Sequence, residues 1–541
     1  MKRIVLLLVF LLAAVLLIVS CGNTETPSST AITTPKPAQT AAHSTGDTTV
    51  QTTANTTVTT TAITTVQTTA GTTAGTLQLI DGDKPIFQVV TSLERYRDSF
   101  FNQIVNDFCV AVRDIGVTRP TYSYDQGRKM DYEILIGKTN RDVKLPDLDP
   151  FEWVTMVQGT KIILYSETDS GLLRAIDYFV DTYLSEKDGA LTLPGDLYTV
   201  GRHDPLQSAE HEKTYAEMAT EIWDAFNDEF WNGAYVEGVG FWESAEILEI
   251  YADAYELTGD EAIKEKLLAY ADRFVLVNKR DWLWKIHNDS PMWASIAFSR
   301  ITLLTGERKY YEIAKENFDA VYARSFDKTL GGGLYWDVDK TTKNACVNGP
   351  AAIAACYIAK ISGDESYFEK ARDLMAWEID RLFEKDTGKV YDAQGVTGGV
   401  HTWSSTYNQG TLIGACTLLY QHYGDKAYLD YAQKAADYAR ANLTELTFGV
   451  LDNNEVRDGA QFGFKGIFAR WAIRYAKETN NVDLLLFLQH NADVAYGNRN
   501  EKGLIWTSWH VKTPTDPVAE KHNAFSMSTA VSLLYNCQAW W

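Results

Sequence analysis

The sequence predicts a mainly α-helical protein: a closed ring of paired helices, the (α/α)6 toroid, preceded by a small α/β domain. From about residue 208 to residue 541, an apolar helix, a turn with glycine and a second helix recur. From about residue 77 to residue 204, short strand-like runs alternate with helical segments. Since 45% of the 541 residues are hydrophobic, the chain has enough apolar surface for a large core.

The charge balance excludes one class of function. The chain has 71 acidic and 50 basic residues, a formal net charge of −21. A nucleic-acid partner is not expected, because binding to phosphates requires clustered lysine and arginine. The chain also carries 15 Trp, 29 Tyr and 22 Phe residues. Their flat apolar rings suit the faces of sugars, although large cores use aromatic residues too.

Residues 1–20 are predicted to be a signal peptide. Lys2 and Arg3 precede an apolar run that is too short for a comfortable membrane-spanning helix. The run ends at Ser20-Cys21-Gly22, which resembles the bacterial lipoprotein signal and implies that Cys21 is lipidated. The alternative is an ordinary secretory peptide that contains a cysteine. We therefore expect an extracellular protein whose contact with the membrane is an N-terminal lipid anchor.

Residues 21–76 are predicted to be a disordered tether. They are rich in Thr, Ala, Ser and Pro and have no apolar pattern that could build a core. The cysteines after Cys21 are odd in number and irregularly spaced, so a disulfide framework is not expected. The sequence predicts no cofactor and no metal site.

Residues 77–204 are predicted to form the small α/β domain. Strands are expected at residues 85–90, 132–136, 153–157 and 161–165, with helices at residues 93–115 and 170–184. This region resembles the accessory domains that precede catalytic barrels in several glycoside hydrolases. The resemblance implies a spacer or docking module.

The helical repeats favour a closed ring over an open solenoid. Turns with glycine recur at Gly259, Gly306, Gly363 and Gly424, with a degraded copy at residues 479–481. The glycine suits a left-handed helix end, and the acidic residue that follows suits the next helix start. Open solenoids usually have short loops of near-constant length, whereas the loops between these hairpins are long. Long loops on one rim are typical of a barrel with a cleft.

The loops and the helix starts that follow them carry the unusual residues. Amide and aromatic side chains at these positions combine hydrogen bonding with flat faces, which suits neutral ligands rich in hydroxyl groups. The candidate substrate-binding residues are Trp293, Trp336, Asn348, Tyr407, Asn408, Gln409 and Glu243. The alternatives are core positions for the aromatic residues, and helix caps or links between loops for the others.

Several ordered motifs resemble glycoside hydrolase family 76, the endo-acting α-1,6-mannanases. They are Gly-Gly-Gly-Leu-Tyr-Trp at residues 331–336, Lys-Asn-Ala-Cys-Val-Asn-Gly-Pro at residues 343–350, Tyr-Asn-Gln-Gly at residues 407–410 and Phe-Lys-Gly-Ile-Phe-Ala-Arg at residues 464–470. The resemblance covers about residues 217–535. It implies an (α/α)6 barrel in the region 208–541, cleavage of α-1,6-linked mannose chains and retention of anomeric configuration.

The family pattern has two adjacent aspartates near the start of an inner helix, and this sequence departs from it. Asp289 is flanked by Asn288 and Ser290. In one register, which the following Met292 and Trp293 favour, Asp289 is the nucleophile and Ser290 replaces the acid/base. In the other register, Asn288 replaces the nucleophile and Asp289 is the acid/base. Either register leaves one of the two carboxyl roles empty.

A third carboxylate is a candidate for the missing group. The sequence offers Glu243 on an early helix, Asp337 and Asp339 after the Gly-rich loop, and Asp392 after Val390-Tyr391. The alternative for Glu243 is a helix cap or an ion pair, and for Asp339 a solvated loop position.

Two functions remain open from the sequence. The first is a cell-surface hydrolase of α-1,6-linked mannan that uses Asp289 as one of its two carboxylates. The second is a non-catalytic glycan-binding lipoprotein that keeps the cleft without the chemistry. In both cases the expected partner is α-mannan or a related polysaccharide, and a monomer is expected.

Overall fold

The structure is a computed structural model that describes most of the chain from residue 65 onward. The described residues are 65–68, 75–184, 191–202, 204, 206–208, 210–445, 448–452, 455, 459–515 and 523–538. The predicted signal peptide, the lipidation site Cys21 and most of the predicted tether lie outside these residues.

The α/β region contains short strands, two longer helices and one short helix. The strands are β1 (Thr65–Thr68), β2 (Thr76–Gln78), β3 (Ile80–Asp81), β4 (Lys84–Pro85), β5 (Phe87–Thr91), β6 (Thr121–Tyr124), β7 (Tyr132–Ile136), β8 (Glu152–Gln158), β9 (Lys161–Tyr165), β10 (Thr192–Pro194) and β11 (Tyr198–Arg202). The helices are α1 (Leu93–Arg97), α2 (Ser99–Asp114) and α3 (Asp169–Tyr183).

The main sheet of the described residues has the strand order β1-β11-β8-β9-β7-β5-β6. Strands β6, β5, β7 and β9 are parallel, and β8 is antiparallel to both β9 and β11. β5, β7 and β9 are buried along almost their whole length, as expected for parallel strands covered on both faces, and β5 and β7 include the buried polar residues Gln88 and Glu133.

Two features of this region differ from the sequence prediction. The helix expected over residues 93–115 is interrupted at Asp98, whose backbone is extended and whose carboxylate accepts a hydrogen bond from Phe101 N. An Asp side chain competes for backbone N–H groups in this way, so it starts a new helix. Strand β1 lies within the predicted tether and pairs with β11, since Thr and Val also favour strands once an edge is available.

Twelve of the described helices form two concentric rings, which confirms the predicted (α/α)6 architecture. The inner helices are α5 (Phe241–Thr258), α7 (Asp289–Thr305), α9 (Ala345–Ser362), α11 (Thr406–Tyr423), α13 (Phe464–Thr479) and α15 (Ala524–Cys537). The outer helices are α4 (Tyr215–Phe230), α6 (Glu261–Asn278), α8 (Arg308–Ser325), α10 (Ser366–Arg381), α12 (Ala427–Asn442) and α14 (Val482–Gly497). Each inner helix packs against the next, and α15 packs against α5, so the ring is closed.

The two ends of the ring differ because short and long connections alternate. Short turns join the end of an inner helix to the following outer helix; Gly259 there has φ +64° and Asn480 has φ +54°. Long loops return to the start of the next inner helix, and they contain β12 (Thr342–Asn344), β13 (Ala393–Gly395), β14 (Val400–His401), β15 (Thr444–Glu445) and β16 (Val450–Leu451). We call the end with these loops the loop rim.

The inner helices are almost completely buried, and α9 illustrates the consequence for sequence interpretation. Ala345–Ser362 is long and apolar enough to cross a membrane by length and composition, yet 83% of it is buried inside the protein. Its apolar character reflects contact with helices on all sides.

A cluster of charged side chains lies inside the ring of inner helices. Its members are Glu246, Glu249, Asp253 and Glu256 on α5, Arg300 on α7, and Arg470 and Arg474 on α13. Asp253 is at its centre: its carboxylate is 2.6 Å from Arg470 Nε and 2.8 Å from a terminal nitrogen of Arg300. On α15, Asn536 Nδ2 also donates to Asp253, at 3.3 Å. The cluster therefore connects four of the inner helices.

The opposite charges in this cluster offset the free-energy cost of removing its members from water. Burial alone would raise the pKa of Asp253, but the charges of Arg470, Arg300 and Arg474 lower it well below its usual value. Burial raises the pKa of Glu246 to about 7, so this carboxyl carries only part of its negative charge near neutral pH. Beyond the cluster, the last turns of the inner helices surround a cavity of about 600 Å³ at the end opposite the loop rim.

The α/β region contacts the outer ring through the start of α3. Asp169 forms ion pairs with Arg95 in its own region and with Arg440 on α12. Asp169 N also donates to the Asp483 carboxylate on α14, at 3.0 Å. These contacts link the two folded regions within one compact unit that extends from residue 61 to residue 541.

We expect Arg470→Met to lower the free energy of unfolding by about 3–5 kcal/mol, because it leaves buried carboxylates without their partner. Chemical denaturation measures the change. The matched control is Arg372→Met, since Arg372 is half-exposed and lies 3.8 Å from Asp373. The control should change stability by less than about 0.5 kcal/mol. Equal effects of the two variants would contradict a role for the cluster in stability.

Candidate active site

Asp289 is the first residue of α7, at the loop rim. Its carboxylate accepts a hydrogen bond from Ser290 N at 2.9 Å and is partly exposed to solvent. Burial raises the pKa of this carboxyl to about 7, although Ser290 N, the side chain of Trp336 and the charge of Lys285 all act in the opposite direction. A partly exposed carboxyl with a strongly raised pKa is a typical functional group.

The neighbours of Asp289 differ from each other. Asn288 is buried: its Nδ2 donates to Tyr335 O at 2.9 Å, and its Oδ1 accepts from Arg324 Nε at 2.7 Å. The Asn288 amide therefore holds the loop before β12. Ser290 is also largely buried and follows Asp289 in the first turn of α7.

A second carboxyl, that of Asp392, lies near the same side chains as Asp289. The charges of both Asp289 and Asp392 act on Cys346 and on Tyr407, so the four side chains share one neighbourhood. Burial raises the pKa of Asp392, and His401 and the Asn408 side chain partly counteract it. Burial, followed by these two carboxylates, raises the pKa of the Cys346 thiol, which stays protonated.

Glu243 lies in the first turn of α5 at the same rim. Burial raises the pKa of its carboxyl; hydrogen bonds from its own helix start and the charge of Lys285 lower it. The charge of Lys285 also lowers the pKa of Asp289, so the two carboxyls are subject to the same positive charge. Glu243 is partly exposed at the rim that bears Asp289.

Aromatic rings from several inner helices form the floor below Asp289. Tyr407 stacks on Phe464 with 3.7 Å between ring centroids, and Trp293 lies 6.2 Å from Tyr407. Trp242 lies 6.0 Å from Trp293 and is partly exposed. Trp336 is also partly exposed and stacks on His287 at 4.5 Å, with 8° between the rings. Trp336 and Trp242 are therefore the rings of this group that can contact a ligand.

Several predicted substrate-binding residues are buried and support the fold. Trp293 is 1% exposed and belongs to the core. Asn348 is completely buried, and its amide bonds with both Leu334 N and Leu334 O. Gln409 is also buried, and the amide orientation that satisfies both of its polar atoms donates to Gly388 O at 3.2 Å and accepts from Val390 N at 3.1 Å. For the two amides these contacts match the alternative of links between loops, because a loop buried beside an inner helix needs amides to satisfy its backbone.

The remaining predicted residues are Asn408 and Tyr407 on α11 and the alternative carboxylates Asp337 and Asp339. Asn408 is completely buried, and its side chain partly counteracts the rise that burial causes in the pKa of Asp392. Tyr407 is 8% exposed and contributes to the floor of aromatic rings.

Asp337 accepts hydrogen bonds from Asp339 N and Lys340 N in a tight turn, and Asp339 is exposed. As candidates for the second carboxylate, Asp337 and Asp339 therefore lack the surroundings that Asp392 has.

Sequence reasoning missed Lys285 and His401, which lie beside Asp289 and Asp392. Lys285 comes four residues before Asp289, in a loop that stood out for its tryptophans. Its position only four residues before Asp289 was the signal in the sequence that could have identified it. His401 pairs with Ala393 across a two-strand bridge that the sequence did not indicate.

A metal centre is not indicated at this rim. Among the described residues, no group of three or more His, Cys, Asp or Glu side chains is arranged to hold a metal ion. The five cysteines within the described part of the chain are buried free thiols.

Comparison with known proteins identifies relatives of the barrel. The model of glycosyl hydrolase family 76 matches residues 206–536. The mannan endo-1,6-alpha-mannosidase of Candida albicans is 26% identical over 229 residues, which are 37% of this chain and 50% of that protein. The chain thus spans about half the length of this curated relative.

Solved structures give a similar result. An inactive variant of the alpha-1,6-mannanase of Salegentibacter sp. HEL1_6, bound to alpha-1,6-mannotriose, matches with a TM-score of 0.56 and 28% identity. The match covers 60% of this chain and all of that chain. A second inactive variant of the same enzyme, bound to alpha-1,6-mannotetrose, has the same TM-score and identity and covers 61% of this chain and all of that chain. In both variants two neighbouring aspartates are replaced, by asparagine in the first and by alanine in the second.

Asn348→Ala should lower the free energy of unfolding by about 1–3 kcal/mol, because the backbone of Leu334 loses its partners in a buried place. Chemical denaturation tests this expectation. Asn442→Ala is the control, since Asn442 is exposed near the end of α12. A loss of stability confined to Asn348→Ala supports the structural role.

Asp289→Asn should stabilise the protein at pH 8 but not at pH 4. The pKa of Asp289 rises from 3.8 to about 7 on folding, so the folded state binds the extra proton between these values and loses stability as pH rises. We expect a gain of about 1–2 kcal/mol at pH 8, less than the full shift would give because the carboxyl is partly exposed. Denaturation at both pH values measures it, with Asp339→Asn as the control. A gain independent of pH would contradict the shift.

Proposed function

Since the chain belongs to glycosyl hydrolase family 76, we propose that it cleaves α-1,6-linked mannan with retention of anomeric configuration. The names of its relatives support this substrate: the Candida protein is a mannan endo-1,6-alpha-mannosidase, and the Salegentibacter enzyme is an alpha-1,6-mannanase. The observation that carries the proposal is the carboxyl pair of Asp289 and Asp392 around Tyr407 at the loop rim.

Asp289 is the proposed nucleophile. It begins an inner helix, where the positive end of the helix dipole and Ser290 N partly offset the burial that raises its pKa. The register supported by Met292 and Trp293 places Asp289 first in the family pair and Ser290 second. The hydrogen bonds of Asn288 to Tyr335 and Arg324 support this register, because they direct that amide into the loop.

Asp392 is the proposed acid/base. The serine hydroxyl of Ser290 cannot supply a proton at neutral pH as a carboxylic acid does. Burial raises the pKa of Asp392, which is the direction that a general acid requires, and its charge acts on Tyr407 and Cys346 as that of Asp289 does.

The reaction then has two steps. In the first, Asp289 forms a bond to the anomeric carbon while the glycosidic bond breaks, and the Asp392 proton moves to the departing oxygen. In the second, a water molecule gives its proton to the Asp392 carboxylate and attacks the anomeric carbon. This step releases Asp289 and the sugar. The two inversions together retain the anomeric configuration.

We also propose that the chain works outside the cell, held by a lipid on Cys21. The apolar run before Cys21 and the Thr-rich stretch after it support this location. In that arrangement the α/β region separates the barrel from the tether, and Asp169 keeps the two folded regions together. A monomer is sufficient, because one chain supplies every group of the proposed site.

One observation favours a second candidate function. The Salegentibacter variants with both neighbouring aspartates replaced are inactive yet hold mannooligosaccharides, and this chain has Ser290 beside Asp289. The alternative is therefore a surface protein that binds α-1,6-linked mannose chains without cleaving them.

The test is the release of new reducing ends from linear α-1,6-mannan by the full chain. We expect Asp289→Asn and Asp392→Asn each to lower the rate by about 10²–10⁴-fold, since each removes one catalytic carboxyl. Asp339→Asn, which removes an exposed carboxylate on the same rim, should keep the full rate.

Binding measured beside the rate separates the two functions. Calorimetric titration with α-1,6-mannotriose should detect binding in both cases. Binding without reducing ends would establish the glycan-binding protein and exclude the hydrolase. Cleavage that survives Asp392→Asn but not Asp289→Asn would move the acid/base role away from Asp392.

A further inference from the structure

The exposed apolar side chains of this protein are concentrated at the loop rim. Twelve large hydrophobic residues in the described part of the chain are exposed, and nine of them lie at this end of the barrel. The nine are Leu276, Val277, Leu283, Trp284, Ile286, Val338, Val400, Trp403 and Val511. A ligand bound at the end that bears Asp289 would therefore meet more exposed apolar side chains than a ligand at the opposite end.

Trp284 is the more exposed of the two tryptophans in this group. It is 56% exposed, in the loop between α6 and α7. Its indole Nε1 donates to Asn278 O at 3.2 Å, and its ring meets the edge of Phe241 at 5.9 Å between centroids. These contacts hold the ring in one orientation while leaving much of it open to solvent.

Lys285 lies between Trp284 and Asp289 in the loop that leads into α7. Its ammonium nitrogen lies 4.8 Å from the centroid of Trp284 and 4.8 Å from that of Phe241. Trp284 therefore stands five residues before Asp289 on the same loop, with a positive charge over its ring.

We propose that Trp284 forms a separate sugar-binding subsite for units of the polysaccharide that lie beyond the bond being cleaved. This inference rests on the proposed function, because it assigns the same polymer to a longer surface. One mannose unit stacks its apolar face on the indole, and Lys285 donates hydrogen bonds to hydroxyl groups between that unit and the cleft.

The fixed ring explains why this position suits a ligand. An aromatic side chain already held by Asn278 and Phe241 loses little conformational freedom on binding, so more of its contact contributes to affinity. Such a subsite favours long chains over short ones, because only a chain long enough to extend from Asp289 to Trp284 gains the contact with the indole.

The experiment compares a short and a long ligand. The full chain carrying Asp289→Asn, which prevents turnover, is titrated with α-1,6-mannotriose and α-1,6-mannohexaose by calorimetry. Adding Trp284→Ala should weaken hexaose binding about five- to tenfold and leave triose binding unchanged. Trp284→Phe should restore most of the hexaose affinity, because it keeps a flat ring.

A matched control is Tyr423→Ala. Tyr423 is an exposed aromatic residue of the same barrel, but it ends α11 at the opposite end from Asp289. Its removal should change neither affinity. Equal melting temperatures for the variants ensure that the comparison reports on binding.

Three results would overturn the subsite. Unchanged hexaose affinity in Trp284→Ala would mean that the surface serves another partner, such as a protein. An equal loss for triose and hexaose would place Trp284 in the central cleft instead of beyond it. Failure of the parent chain to bind either ligand would remove the proposed function itself, and the subsite with it.

Discussion

The ion cluster on α5 is the interaction on which the rest of the barrel depends. Its four carboxylates meet arginines from α7 and α13 and the amide of Asn536 on α15. A ring of helices must close between its first and last members, and apolar packing alone does not specify which helices meet. Buried charged groups favour one arrangement of the helices, because any other arrangement would leave a buried charge without an oppositely charged partner.

The closed ring separates stability from chemistry along its axis. The ion cluster lies inside the ring and the cavity of about 600 Å³ lies beyond it at one end, while the carboxyls of Asp289 and Asp392 are at the other end. At the loop rim, fully buried amides such as Asn348 and Gln409 hold the long loops in place. Much of the polar chemistry at the rim therefore positions loops.

The sequence predictions agree with the structure where the deciding interactions act between residues that are close in the chain. Strands at residues 132–136 and 161–165 and the glycine turns were predictable, because hydrophobic period and turn chemistry act over a few residues. The helix break at Asp98 and the strand at Thr65–Thr68 were missed. The break depends on one cap bond, and the strand exists only because β11 offers it an edge.

The sequence by itself determined the ring of paired helices, the family resemblance and the unusual Asp289 flanked by Asn288 and Ser290. These follow from repeats and motifs that can be read along the chain. Only the tertiary structure decided that Trp293, Asn348 and Gln409 are buried, and that Asp392 and Lys285 lie beside Asp289. Asp392 is distant from Asp289 in the chain. The side chains that come together at the loop rim belong to loops that are distant in the chain. A local sequence pattern therefore does not predict their contact.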